Sequence, residues 1–141
     1  MTQITQRILG LDIGTKRIGV SISDPLGITA QPLKAVKRKP ENASVNEIKE
    51  LCEKYSVSVI VAGLPKNMDG TLGFQAQDVL SYVELLKKNI SVNVELEDER
   101  LTSKIAERAL IELNKKPSKN KELVDVASAI LILQQYLDKR R

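Results

Sequence analysis

Arg7-Ile-Leu-Gly-Leu-Asp12-Ile-Gly14-Thr15-Lys16-Arg17-Ile-Gly19-Val-Ser-Ile-Ser-Asp24 is the stretch whose reading decides the fold. It reads as strand, tight turn, strand. Ile8, Leu9 and Leu11 form a short apolar run that closes on a carboxylate, and Gly14 and Thr15 break it. Ile18, Val20 and Ile22 then alternate with Gly19, Ser21 and Ser23, the period of a half-buried strand. Asp12 therefore stands where a strand opens into a turn, at the rim of a sheet. Aspartate is an ordinary turn residue, so capping of a hairpin and chemistry are both open at this point.

Downstream, Pro25-Leu26-Gly27 marks a turn, and Ile28 to Val36 reads as a third strand in which Pro32 signals an edge or a bulge. A basic, proline-containing loop follows from Lys37 to Asn42. Ser44 and Glu47 have the spacing of a capping box, with Val45, Ile48, Leu51, Cys52 and Tyr55 on one helical face behind them. Val57 to Ala62 is a continuous β-branched run, the pattern of a strand covered on both faces. It ends in Gly63-Leu64-Pro65 and a polar loop that turns at Asp69-Gly70. Phe74 to Asn89 reads as a helix carrying Ala76, Val79, Val83 and Leu86 inward. Val92, Val94 and Leu96 alternate as a fifth strand running into Asp98-Glu99-Arg100. Thr102 or Ser103 then caps a helix with Ile105, Ala106, Ala109, Leu110 and Leu113 inside. After a short loop from Lys116 to Asn120, the last helix spans Lys121 to Leu137, with Leu123, Val124, Ala127, Ile130 and Leu131 as its apolar stripe. The order β-β-β-α-β-α-β-α-α predicts one α/β domain over residues 1–141. Its sheet is mixed and five-stranded, three antiparallel strands plus two parallel, with helices on both faces.

Histidine is absent and cysteine occurs once, at Cys52. No Ser-His or Cys-His nucleophile, histidine base or imidazole ligand is available. A lone thiol closes neither an internal disulfide nor a cysteine zinc site, and Cys52, in its helical stripe, reads as a core thiol. Acid–base or metal chemistry is left to carboxylates, lysines, tyrosines and bound water. The 141 residues, 42% of them apolar, suffice for a real core. No apolar run approaches the roughly 20 residues that a membrane span needs, and Met1 to Gln6 precede no apolar signal region. A cytoplasmic protein with no membrane partner is expected. The net charge of +4 gathers at Lys34/Lys37/Arg38/Lys39, Lys115/Lys116/Lys119/Lys121 and Lys139/Arg140/Arg141. Such clusters suit a polyanionic partner and also suit solvated faces. Aromatic residues are few (Tyr55, Phe74, Tyr82, Tyr136), a poor basis for a base-stacking platform.

Four carboxylates are candidates for a site. Asp12, Asp98 and Glu99 lie at or just beyond C-terminal strand ends, the edge where open α/β sheets bind ligands. Asp125 sits in a helix among apolar residues, where an unpaired charge is costly; either a lysine or arginine neutralises it, or a metal ion does. Converging carboxylates without histidine match the hard-oxygen preference of Mg²⁺ or Mn²⁺, and in a basic protein a divalent-metal phosphodiesterase is the natural chemistry.

Four motifs, in this order, resemble the YqgF/RuvX family. They are Leu11-Asp12-Ile13-Gly14-Thr15-Lys16-Arg17-Ile18-Gly19-Val20, Gly63-Leu64-Pro65-Lys66-Asn67-Met68-Asp69-Gly70, Asp98-Glu99-Arg100-Leu101-Thr102, and Val124-Asp125-Val126-Ala127-Ser128-Ala129. Together they cover nearly the whole chain. The family is similar to bacterial Holliday junction resolvases and is assigned to pre-16S ribosomal RNA processing. The resemblance implies a ribonuclease H-like fold and a divalent-metal-dependent hydrolase, a nuclease of ribosome biogenesis. It implies catalytic, metal-binding acids at Asp12, Glu99 and Asp125, holding one or two Mg²⁺ or Mn²⁺ ions. Lys16, Arg17 and Arg100 would position phosphates, and Lys66 and Asn67 would contact the sugar–phosphate backbone. Expected partners are pre-rRNA or branched DNA and the ribosome, for a monomer or homodimer.

One departure matters. Ribonuclease H-like nucleases usually carry a second acid at the end of the fourth strand, and this strand ends in Gly63-Leu64-Pro65. Glu99 of the fifth strand would compensate across roughly 9–10 Å of sheet, with Asp98 as the alternative ligand. Two rivals remain open. A ribosome-associated factor would bind nucleic acid with little or no cleavage. Asp12-Ile-Gly-Thr15 also resembles the first phosphate loop of the actin and sugar-kinase ATPases, but those enclose their nucleotide between two such lobes and this chain has room for one.

Overall fold

Strand β1 (Arg7–Ile13) hydrogen-bonds to β2 (Arg17–Ser23) as an antiparallel hairpin, with Asp12 opposite Gly19. The computed structural model describes residues 7–67, 69–99 and 121–140. Edge strand β3 (Ala30–Lys37) pairs antiparallel with β2, and the register shifts opposite Pro32, the edge-and-bulge position the proline predicts. Helix α1 (Glu41–Lys54) leads to β4 (Val57–Leu64), parallel to β1; α2 (Phe74–Asn89) leads to β5 (Asn93–Asp98), parallel to β4. The sheet order is β3-β2-β1-β4-β5, the mixed five-stranded arrangement expected. Helix α3 (Lys121–Lys139) closes the described chain. The helix expected after Thr102, the loop before Lys121 and Arg100 lie outside the described residues. No helix among those described is long and apolar enough to cross a membrane.

The sheet separates two cores. On one face Leu9, Leu11, Ile13, Ile18 and Val20 meet α1 through Val45, Ile48 and Cys52, and α2 through Ala76, Val79, Tyr82, Val83 and Leu86. On the other face Ile8 and Val61 meet Ile132, Leu133, Tyr136 and Leu137 of α3. β4 contributes Ile60 and Ala62 to the first core and Val61 to the second, as its unbroken apolar run requires.

Several local expectations are corrected. The third strand begins at Ala30, not Ile28, because the Asp24 carboxylate accepts the backbone N–H groups of Ile28 (2.7 Å) and Thr29 (2.8 Å) and holds them in a turn. Helix α1 starts at Glu41, directly after Pro40, so Ser44 caps nothing. Its hydroxyl is buried, donating to the Glu41 carbonyl and sharing a hydrogen bond with Tyr82. Helix α3 does not turn the Leu123/Val124/Ala127/Ile130/Leu131 stripe to the sheet: Leu123 is 43% exposed, and the buried residues are Ser128, Ala129, Ile132, Leu133, Tyr136 and Leu137. Finally, β2 is not half-buried. Gly19, Ser21 and Ser23, whose alternation reads as a solvent face, lie under cover, because their small size admits α3.

Arg38 joins these parts beside the hairpin turn. Its guanidinium, 3% exposed, donates to both Asp78 carboxylate oxygens, to Glu41 and to the Gly14 carbonyl (2.9 Å), and stacks over Tyr82. Its backbone N–H donates to the Lys16 carbonyl at 3.0 Å. One buried cation thus pins both sides of the β1–β2 turn to α1 and α2.

Candidate active site

The close seating of α3 creates the site. The Ser21 hydroxyl donates to the Ala129 carbonyl at 2.7 Å, tying β2 directly to the helix backbone. A Cβ at Gly19 would overlap the Asp125 carbonyl, and one at Gly10 would meet Leu133 and the Ala129 carbonyl. Only residues without a side chain let the helix lie this near. Since Gly19 pairs with Asp12, α3 delivers Asp125 to the same end of the hairpin. Alternation along β1 puts Asp12 on the α3 side with Ile8 and Gly10, while Leu11 and Ile13 face the other core.

Glu99 arrives from beyond β5. Its backbone N–H donates to the Leu64 carbonyl, and its carboxyl group folds over Gly63: a Cβ there would stand 3.0 Å from the Glu99 carboxyl carbon. β4 lies between β1 and β5, so the missing side chain at Gly63 is what opens the path toward Asp12. Glu99 is 8% exposed; Asp98 instead faces Lys66 across 3.9 Å.

The three acids feel one another. Burial first, then repulsion from Asp125, pushes the Asp12 carboxyl up to about 7, against a lowering contribution from Ser128. Burial, then Asp12, then Asp98 pushes Glu99 up to about 8. Burial also raises Asp125, opposed by Arg17, whose Nε donates to its Oδ2 at 2.8 Å. Two buried oxygens here make no hydrogen bond of good geometry, Glu99 Oε2 and Ser128 Oγ. Ser128 follows Asp125 by three residues and so shares its helix face, a spacing that could have singled it out in the sequence. Crowded carboxyls, each raised by burial, with buried oxygens left without a hydrogen bond among them, fit a hard divalent cation. Among the described residues no three such groups are already arranged around one ion; Asp125 is held by Arg17.

The proposed nucleic-acid contacts are distributed around this centre. Lys16 is exposed in the hairpin turn, and Arg17 is the partner of Asp125. Lys66, after β4, lies near Asp98, while the Asn67 amide donates to Thr71 and holds its own loop closed. Cys52 is buried and its thiol is pushed up to about 11 by burial, as a core thiol requires.

A model of the RuvX family, described as Holliday junction resolvase, matches residues 6–139. A protein of Clostridium acetobutylicum named "Putative pre-16S rRNA nuclease" is 53% identical over 132 residues, covering 94% of this chain and 98% of the relative. One of Clostridium botulinum with the same name is 51% identical over 94% of this chain and 96% of its own. Among solved structures, Thermus thermophilus RuvC in complex with a Holliday junction substrate superposes with a TM-score of 0.56 at 16% identity, over 96% of this chain and 95% of that one. Fowlpox virus resolvase in complex with junction DNA gives 0.59 at 15% identity, over 96% and 99%. The fold is ribonuclease H-like.

Proposed function

The chain belongs to the RuvX family, and from that premise we propose that it is a divalent-metal-dependent endonuclease that processes the 5′ end of pre-16S ribosomal RNA in the cytoplasm, as one domain spanning the chain. The observation that carries this reading is the meeting of Asp12, Asp125 and Glu99 on one side of the sheet, where each acid is raised by burial and Asp12 is raised by Asp125 and in turn raises Glu99. A pure nucleic-acid-binding factor has no use for negative charge buried at such cost beside its ligand's phosphates.

Asp12, Glu99 and Asp125 would hold Mg²⁺ or Mn²⁺, with the Ser128 hydroxyl beside them. A bound divalent cation supplies Lewis acidity to the attacking water and to the leaving oxygen of the phosphodiester. The residues of the chain do the rest. Gly19 and Gly63 give Asp125 and Glu99 their approach to Asp12, and Arg38 fixes the turn that carries Lys16. Lys16 and Lys66 would orient the phosphates on either side of the scissile bond, with Asn67 holding the Lys66 loop in shape.

The family description favours a second reading, cleavage of branched DNA. Incubation of the purified protein with end-labelled pre-16S RNA and with a four-way DNA junction, in Mg²⁺, Mn²⁺ or EDTA, tests both. Metal-dependent cuts in the RNA alone support rRNA processing, and symmetric cuts in the junction alone support the resolvase. No cleavage of either substrate in any metal contradicts the nuclease reading.

A further inference from the structure

Beside the acids, between the β1–β2 turn and edge strand β3, runs an open groove of about 650 Å³. Among the described residues, Lys16, Arg17, Lys37 and Lys39 line it, against one carboxylate, Glu122. Lys16 and Lys37 form no salt bridge among the described residues, and the charge of Lys39 is also felt by Asp78 on α2. Arg17 belongs to both regions. It lines the groove, and its Nε holds Asp125 at 2.8 Å with its side chain still 26% exposed. Arginine is the cation best shaped to trade a carboxylate for a phosphate, since its planar fork matches both.

We propose that this groove takes the phosphate backbone of the nucleic-acid substrate, and that Arg17 changes partner as it fills, from the Asp125 carboxylate to a substrate phosphate. The proposal rests on the nuclease reading and adds a consequence to it. In the free protein one of the three acids is held by an arginine; with nucleic acid bound, that acid is released to the divalent site. Nucleic acid and divalent cation therefore bind with positive coupling, and by linkage each strengthens the other equally. Lys37 and Lys39, from the far wall of the groove, guide the strand away from the acids.

The test is fluorescence anisotropy with a labelled RNA hairpin and a four-way DNA junction in EDTA, over a series of salt concentrations. Lys37→Glu/Lys39→Glu should weaken binding and lower the slope of log affinity against log salt by about 1.4–1.8, two phosphate contacts at about 0.7–0.9 each. Lys87→Glu/Lys88→Glu, at the last turn of α2, should leave the slope unchanged. Asp125→Asn frees Arg17 and should tighten binding about threefold or more; in the Arg17→Gln background the same change should bring a clearly smaller gain, only that of removing one carboxylate. For the free protein, calorimetry with Mn²⁺ should show tighter binding by Arg17→Gln than by wild type, because the competing cation is gone. Thermal melts of each variant identify any loss of folding, and the lysine pair, on the surface of the groove, carries the test if an Arg17 variant unfolds. Wild-type binding with an unchanged slope in the Lys37/Lys39 variant overturns the groove and leaves the nuclease reading standing. An equal gain from Asp125→Asn with and without Arg17, or unchanged Mn²⁺ affinity in Arg17→Gln, overturns the exchange. Failure of wild type to bind either nucleic acid overturns the nuclease reading together with the groove.

Discussion

On one face of the sheet Leu9, Leu11, Ile13, Ile18 and Val20 meet α1 and α2 as interlocking apolar side chains; on the other, Gly10, Asp12, Gly19, Ser21 and Gly63 meet α3 and Glu99 across positions with little or no side chain. Volume makes the first face stable, since close-packed methyl and methylene groups give both transfer energy and dispersion contacts. Lack of volume makes the second face useful: the helix backbone comes near enough to bring Asp125 beside Asp12, and Glu99 has room to fold in. That face pays with buried carboxyls held against their preferred ionisation. Within 141 residues the first face serves stability alone, while the second keeps an apolar core of its own, Ile8 and Val61 against Ile132, Leu133, Tyr136 and Leu137, and adds the acids beside it.

The largest expected effect that would break this division comes from Gly19→Val. Branched carbons where even a Cβ overlaps the Asp125 carbonyl must lift α3, costing about 1–3 kcal/mol of stability and about a hundredfold or more in cleavage through lost positioning. Its counterpart across the sheet is Ile48→Ala. That should cost about 2–5 kcal/mol in urea unfolding yet leave the cleavage rate per folded molecule within about twofold. If Ile48→Ala lost cleavage and Gly19→Val kept it, the two faces would have the opposite roles. A finer probe is Gly63→Ala. Its methyl group would meet Ile132 Cδ1 at 2.5 Å and the Glu99 carboxyl carbon at 3.0 Å. Ile132 must therefore repack, costing about 1–3 kcal/mol, and the Glu99 carboxyl must give way, so cleavage should fall about tenfold. Unchanged kinetics would mean that Glu99 does not act from over Gly63.

The smallest effect separates the faces by pH. The raised values of Asp12 and Glu99 belong to the folded state, so between about pH 4 and 8 the folded protein holds protons that the unfolded chain has released. Stability of the metal-free protein therefore falls as pH rises through that window and levels off above it. Melting temperatures in EDTA should decline steadily over this range. Asp12→Asn should flatten the decline and melt higher than wild type at pH 8, with no advantage at pH 4. A parallel decline in the variant would assign the pH dependence elsewhere.

Much of this division was legible in the sequence, and the parts that were not have a common cause. The run Ile8, Leu9 and Leu11 and the alternation of Ile18 and Val20 marked core strands, and the unbroken run from Val57 marked β4 as covered on both faces, because apolar volume leaves a trace in the sequence. Asp12 and Asp125 stood out by position, one closing a strand and the other interrupting an apolar helix. Absent volume leaves a weaker trace. Gly19 and Ser21 read as a solvated face when they are a seat for α3, and the larger residues Leu123, Ile130 and Leu131 drew the inward stripe away from Ser128 and Ala129. The fold of Glu99 over Gly63 was equally invisible, because Gly63 lies thirty-six residues earlier and its bareness means nothing until β4 and β5 are side by side. Arg17 read as a phosphate contact because nothing local to it reveals a partner 108 residues away.

The central claim is that the acids of the small-residue face are there for metal-dependent cleavage and not for binding. Asp12→Asn tests it most directly, keeping the shape of the side chain while removing its charge. The measurement is paired on one RNA: cleavage rate in Mg²⁺, and equilibrium affinity in EDTA. A metal-holding Asp12 predicts a loss of cleavage of about a thousandfold or more, with affinity equal to wild type or slightly higher, since one repulsive carboxylate has left the phosphate path. Cleavage at the wild-type rate by Asp12→Asn, or loss of affinity as large as the loss of rate, would contradict it.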